Sequence, residues 1–207
     1  MPPKLSLALK KLKASVRTPK FECQQCGTCC VKYVICVTHK DASRVAKQTG
    51  LNPHEFLNCI IPEKGVEESF KDVPRFSGLE GQKWILCFKE NEKTSGCYFN
   101  NSGPCSIYPA RPYVCHAFPF LWKRENDVDN FTFNLDSVEF CKGLSAKKNK
   151  YNFDSVAKDM RVSEKEDKEY AKIVKEWNDR VESKEIESPS LQTFIDFVIK
   201  KVSDEGN

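Results

Sequence analysis

The chain has 207 residues, of which 40% are hydrophobic and 30% are charged, and its formal net charge is +4 at pH 7. This length suits one domain with extensions. The mean hydropathy of −0.55 and the lack of an apolar run near about 18 residues exclude a transmembrane segment.

The first part of the chain, 1–20, carries six basic side chains and no acidic one, so the remainder has a formal charge of −2. We predict that 1–20 is a basic N-terminal arm rather than a secretory signal, because its apolar run is short and no small-residue cleavage site follows. We therefore expect a cytoplasmic protein. The nearly neutral body counts against a nucleic-acid partner.

The central part of the chain predicts short helices and short strands. Thr38 is the expected N-cap of a helix that ends at Gly50, and Asn52 followed by Pro53 is typical of the start of a second, shorter helix. A loop is predicted over 62–82, which mixes charge, proline and glycine without periodicity. Short strands are predicted at 33–37, 83–88, 97–99, 119–123 and 131–135.

The last part of the chain predicts two amphipathic helices. A charged helix from Val162 to about Ser183 has an apolar face, and a final helix follows over 191–202. These patterns favour an α+β fold, with a small irregular metal-centred, cysteine-rich core of short strands and helices at 21–145. The two helices of 146–207 are expected to brace that core as an extension of the same domain, or to dock a partner protein.

Eleven cysteines give the strongest chemical signal, and in a reducing compartment clustered thiols more often bind metals than form disulfides. Four lie within eight residues, at Cys23, Cys26, Cys29 and Cys30. Gly27 stands where such a knuckle often needs a positive φ. Thiolates this close repel unless a cation neutralises them. The run resembles iron–sulfur ligation with a remote fourth cysteine, while zinc or mononuclear iron stay open as alternatives.

A second group supplies four more thiols at Cys97, Cys105, Cys115 and Cys141. Arg111, held extended by Pro112, would place a guanidinium beside the thiolates and offset their charge; a surface salt bridge is the alternative. His116 is either a further ligand or a non-ligand. We predict the non-ligand role, because thiolates are in surplus.

The succession CxxCGxCC, CxF, CxIYxxRPxxC, FPF and a late cysteine resembles the YkgJ-type (CxxCxxCC) cysteine-cluster family over roughly 21–145. This resemblance implies a zinc- or iron-chelating domain, which also occurs in flagellin lysine N-methylases. It implies eight metal ligands, which are Cys23, Cys26, Cys29, Cys30, Cys97, Cys105, Cys115 and Cys141. Cys36, Cys59 and Cys87 lie outside the pattern and are predicted to be buried thiols. The chain departs from the family at His116, where Arg is usual, and at Asn100, where Leu is usual.

The function expected from these observations is that of a metal-binding protein with an iron–sulfur cluster, or zinc or iron, in a structural, redox or sensing role. The alternative is an enzyme, a protein lysine N-methyltransferase related to flagellin methylase. Two absent motifs count against the enzyme: no GxGxxG follows a strand, and no CxxxCxxC occurs. Shared domains are in any case only an analogy for activity.

Overall fold

The computed structural model describes residues 21–101, 103–145 and 151–205, so the predicted arm at 1–20 lies outside the described residues. The helices of these residues are α1 (Thr28–Lys32), α2 (His39–Thr49), α3 (Pro53–Phe56), α4 (Tyr113–Ala117), α5 (Phe153–Glu182) and α6 (Leu191–Glu205). Their strands are β1 (Leu57–Ile60), β2 (Phe76–Ser77), β3 (Lys83–Phe88), β4 (Glu90–Asn91), β5 (Gly96–Cys97), β6 (Phe120–Glu125) and β7 (Val128–Phe133). Short 3₁₀ helices occur at Glu67–Phe70, Leu79–Gly81, Tyr108–Ala110, Leu135–Glu139 and Lys142–Ser145. The predicted α+β class is confirmed.

The strands form small antiparallel sheets. The largest has the order β1-β3-β2, with Leu57 opposite Phe88 and Phe76 opposite Trp84. Two further pairs, β4-β5 and β6-β7, are separate two-stranded sheets. The β6-β7 hairpin closes at Asn126-Asp127, which both have positive φ, as a tight two-residue hairpin turn requires.

Helices α5 and α6 pack on the three-stranded sheet, and α2 packs against both of these helices, so that together they enclose the hydrophobic core. Trp177 of α5 is 1% exposed, and its Nε1 donates a hydrogen bond to the carbonyl oxygen of Ser77 at 2.8 Å. The rings of Phe76 and Phe194 stack with their centroids 3.7 Å apart. The two C-terminal helices therefore pack directly on the sheet, as predicted.

Local capping explains where the first helices begin and end. Thr38 and Asp41 form a reciprocal capping box at the start of α2, and Gly50 ends the helix with φ 73°. Asn52 and Glu55 form a second box at the start of α3. Each of these starts and stops is where the sequence predicts it, because caps are local features.

A buried ion pair ties the core to the cysteine-rich region. Arg44 of α2 contacts both carboxylate oxygens of Glu166 in α5, at 2.6 and 2.8 Å, and also pairs with Asp41. Its guanidinium carbon lies 4.3 Å from the ring centroid of Tyr113 in α4. One side chain thus links three helices.

Some predicted elements are wrong in extent. The strand at 33–37 is a single bridge, Cys36 to Cys87, because Thr38 immediately turns the chain into α2. The predicted loop at 62–82 contains β2, and β1 was not predicted at all. Instead of the predicted strand at 97–99, the structure has the two-residue strand β5, Gly96–Cys97. Helix α5 begins at Phe153 rather than at 162, because Asn152 caps it ahead of the apolar pair Val156 and Ala157.

In the part of the chain that the structure describes, no helix combines the length and apolarity needed to cross a membrane.

Candidate metal centre

The eight cysteines of the predicted ligand set lie on separate segments of the chain. We call these eight residues the thiol site. Two belong to the knuckle before α1, two to α1 itself, one to β5, one to the loop before Tyr108, one to α4 and one to the segment after Glu139. All are free thiols, half-buried or exposed. The site is therefore assembled from several short elements and loops rather than from one regular element.

The knuckle depends on Gly27, which has φ 72° and precedes α1, so the predicted positive φ is confirmed. Its carbonyl oxygen accepts a hydrogen bond from the Cys30 amide at 3.0 Å. A Cβ atom here would lie 2.8 Å from the Oδ1 atom of Asn100. Glycine is therefore required both by the backbone conformation and by the neighbouring side chain.

The other segments approach the knuckle closely. A Cβ atom at Gly96 would lie 2.9 Å from the carbonyl oxygen of Cys30, so β5 packs directly against α1. The Glu22 amide donates a hydrogen bond to the carbonyl oxygen of Gly143 at 3.2 Å. That bond brings the neighbourhood of Cys141 to the start of the knuckle.

Thiols of the two sequence groups influence one another electrostatically. Burial is the largest cause that raises the pKa of Cys97, to about 11, and of Cys105, Cys115 and Cys141. The charge of Cys29 adds to the increase in each of these four. A thiolate charge at Cys29 would therefore disfavour ionisation of all four thiols of the second group.

The remaining knuckle thiols also take part. A hydrogen bond with Cys30 is the largest cause that raises the pKa of Cys29, ahead of its burial and the charge of Cys26. Cys23 raises the pKa of Cys105. Each member of the thiol site therefore interacts with at least one other, and ionising several together would cost free energy unless a cation were present.

Cys26 differs from the thiols described above because its surroundings lower its pKa. Burial raises its pKa, but hydrogen bonds with Thr28 and the charge of Lys142 outweigh burial and lower the pKa overall. Its sulfur lies 3.3 Å from the Thr28 hydroxyl. Cys26 is exposed, so this thiol can lose its proton directly to solvent.

Arg111 lies where its charge favours thiolates. Its positive charge lowers the pKa of Cys105 and Cys115, opposing the effect of burial. The guanidinium carbon lies 3.9 Å from the ring centroid of Tyr108, and within the described residues Arg111 has no carboxylate ion pair. This position agrees with the predicted role beside the thiols rather than with a surface salt bridge.

His116 is oriented by its neighbours. Its Nδ1 atom lies 3.0 Å from the Oδ2 atom of Asp159, and the hydroxyl of Tyr151 donates to the His116 carbonyl oxygen at 3.1 Å. Burial, followed by the charge of Arg111, lowers the pKa of His116. The non-ligand role stays a prediction. Asp159 and Tyr151 carry no local sequence signal, because they come from a helix start far along the chain.

The three cysteines outside the family pattern lie in the sheet region. Cys87 is 1% exposed, whereas Cys36 and Cys59 are half-buried. Burial raises the pKa of Cys36 to about 11 and that of Cys87 to about 12. These three are therefore protonated thiols that pack in or beside the core.

The donor set fits a soft or borderline metal. Thiolates are the ligands that zinc and iron–sulfur clusters take in proteins, and Arg111 and Lys142 add positive charge beside them. Across the described ranges, no three Cys, His, Asp or Glu side chains already have the spacing of metal ligands. The fit therefore rests on the chemistry of the thiols and on their mutual approach.

A family model named CxxCxxCC, described as "Putative zinc- or iron-chelating domain", matches residues 22–142. The chain belongs to this family. The match spans more than half of the chain and includes every cysteine of the thiol site. The chain therefore belongs to a family that is described as chelating zinc or iron. No curated protein and no solved structure matches the chain.

Proposed function

We propose that the thiol site holds at least one iron–sulfur cluster, and that the protein carries electrons or senses redox state through it. The carrying observation is the close approach of the segments that hold the two groups: a Cβ atom at Gly96, beside Cys97, would lie 2.9 Å from the carbonyl oxygen of Cys30, and the Glu22 amide donates to the Gly143 carbonyl oxygen at 3.2 Å. Three knuckle cysteines at two-residue gaps with a remote fourth thiol match the usual ligation of such clusters. When bound, the cluster supplies one-electron transfer.

The surplus of thiols supports a cluster over a single zinc ion. A structural zinc site takes four ligands, and the thiol site offers eight. Arg111 and Lys142 would offset the negative charge that a centre with several thiolates carries. Half-buried thiols also reduce the access of water, which is one determinant of cluster reduction potential.

The test is anaerobic purification and reconstitution with iron and sulfide, followed by visible absorption and by analysis of iron, sulfide and zinc. We expect bound iron and sulfide in similar amounts and an absorbance that bleaches reversibly on reduction. Protein that holds only zinc under these conditions would contradict the cluster while leaving metal chelation intact.

Cysteine variants identify the ligands in the same assay. Cys115→Ser and Cys141→Ser are expected to lower the iron content, because each removes a thiol near Cys29. Cys59→Ser is the matched control, since Cys59 is half-buried like them but lies in β1, outside the thiol site. Equal loss of iron in all three variants would show that the effect is on folding rather than on ligation.

A further inference from the structure

A cavity of about 300 Å³ opens beside the thiol site. Cys23 lines it together with Arg111 and His116, and four aromatic rings form much of the remaining wall. Those rings are Phe21, Tyr108, Phe118 and Tyr151. A volume of this size is at the lower end of the range for small-molecule sites. One predicted metal ligand and one cationic side chain therefore face the same small space, whose wall combines polar groups with aromatic rings.

Arg111 has no carboxylate partner among the described residues. Its guanidinium stacks on Tyr108, and its Nε atom is buried without a hydrogen-bond partner. None of the ion pairs in the described ranges involves Arg111. Its charge also acts on the thiols Cys105 and Cys115, but its Nε–H donor stays unsatisfied, so a carboxylate from solution that accepted this hydrogen bond would be stabilised here.

Two carboxylates, Asp159 and Glu22, also line the cavity. Asp159 is engaged by the Nδ1 atom of His116 at 3.0 Å, so it is not free to pair with Arg111. Burial is the main cause that raises the pKa of the Tyr151 hydroxyl, and the charge of Arg111 opposes this increase more strongly than the charge of Asp159 adds to it.

The start of α5 is a second feature that favours an anion in the cavity. Asn152 caps this helix of 30 residues, and Ser155 and Val156 of its first turn line the cavity. The N-terminal end of a helix carries a partial positive charge and favours anions. The cap and Arg111 lie on separate parts of the chain, so two independent features favour the same kind of ligand.

We propose that this cavity binds a small organic carboxylate with an aromatic or apolar body, with Arg111 as the charge partner of the carboxylate. The aromatic walls favour such a body over a bare inorganic anion. Only one consequence of this inference rests on the proposed function. Because Cys23 lines the cavity, the bound carboxylate would lie beside the metal centre. Binding of the carboxylate itself does not require the metal.

The probe is benzoate, with benzamide as its neutral counterpart, measured by ligand-observed NMR on the full-length protein. We expect saturable binding of benzoate and at least about tenfold weaker binding of benzamide. Arg111→Gln should weaken benzoate binding about tenfold or more, because it removes the charged partner. Arg124→Gln is the matched control, since Arg124 pairs with Asp127 at the hairpin turn, outside the cavity wall, and should leave binding unchanged.

A second variant keeps the test valid even if replacement of Arg111 disturbs folding. Ser155 is exposed on α5 at the cavity wall, so Ser155→Trp should fill the space and abolish benzoate binding without touching a cysteine. Benzoate binding that survives both variants, or equal binding of benzamide, would overturn the proposal. Metal content is measured on the same samples. Benzoate binding that depends on Arg111 in protein unable to hold metal would refute the proposed function and support this inference.

Discussion

Replacement of Gly27 by alanine tests how the knuckle is built. Gly27 and Gly50 share nearly the same backbone conformation, with φ 72° and 73°. Their surroundings differ: a Cβ atom at Gly27 would lie 2.8 Å from the Oδ1 atom of Asn100, whereas nothing lies within 4 Å at Gly50. Gly50→Ala therefore measures the cost of the backbone conformation alone, and Gly27→Ala adds a steric conflict.

The magnitudes follow from these two contributions. A left-handed conformation costs alanine about 1–2 kcal/mol relative to glycine, so both variants should lose at least that amount. Displacement of a packed side chain adds about 1–3 kcal/mol for Gly27→Ala alone. In a chain of this length each kcal/mol lowers the melting temperature by about 2–4 °C. Gly27→Ala should therefore melt several degrees below Gly50→Ala.

Thermal unfolding of the metal-loaded proteins, followed by circular dichroism, measures the difference. The double variant Gly27→Ala/Asn100→Ala should regain the steric part of the loss but not the conformational part, because the conflict is with the Asn100 side chain. We also expect Gly27→Ala, but not Gly50→Ala, to bind less iron. The reasoning would be refuted if the two single variants melted together, or if removal of the Asn100 side chain restored nothing.

Three further predictions concern the core, the effect of pH and metal removal. Arg44→Ala should lower the free energy of unfolding by about 3 kcal/mol in denaturant titrations, because it leaves Asp41 and Glu166 buried without their cation; an effect below about 1 kcal/mol would contradict this. Asp167 is exposed, and partial desolvation, then the charges of Asp41 and Glu166, raises the pKa of its carboxyl to about 6 from 3.8. Its contribution to stability therefore falls as pH rises through that window, so Asp167→Asn should raise the melting temperature at pH 7 and not at pH 3. Strong chelators should accelerate hydrogen exchange in the segments of the thiol site while α5 and α6 keep their protection; unchanged exchange after proven metal loss would show that the metal is not structural.

Features set by local interactions were predictable from the sequence. The caps at Thr38 and Asn52, the end of α2 at Gly50 and the positive φ of Gly27 all depend on neighbours within four residues. Strand β3 was also predicted with its full bounds, because its run of apolar residues is buried on both sides. Each of these is a short-range pattern with a physical cause that the sequence displays directly.

Features set by distant neighbours were not predictable. Strand β1 forms because β3 offers it a partner, and the pairing of Phe76 with Trp84 creates β2 inside an apparent loop. The partner of His116 is Asp159, 43 residues away, and no spacing rule connects them. The family pattern named the eight cysteines, but the close packing of Gly96 in β5 against the backbone of Cys30 in α1 follows only from the folded chain.

The irregular thiol site is held against the rest of the fold by an aromatic cluster beneath the knuckle. The ring of Phe21 lies 5.5 Å from that of Phe120 and 5.3 Å from that of Tyr151, and Phe153 at the start of α5 lies 4.7 Å from Tyr151. These rings join the start of the knuckle, strand β6 and helix α5 without a metal contact. Because α5 continues from there to Trp177 in the core, packing anchors the base of the cavity, whereas the proposed function predicts that the thiol segments depend on the metal that they would hold.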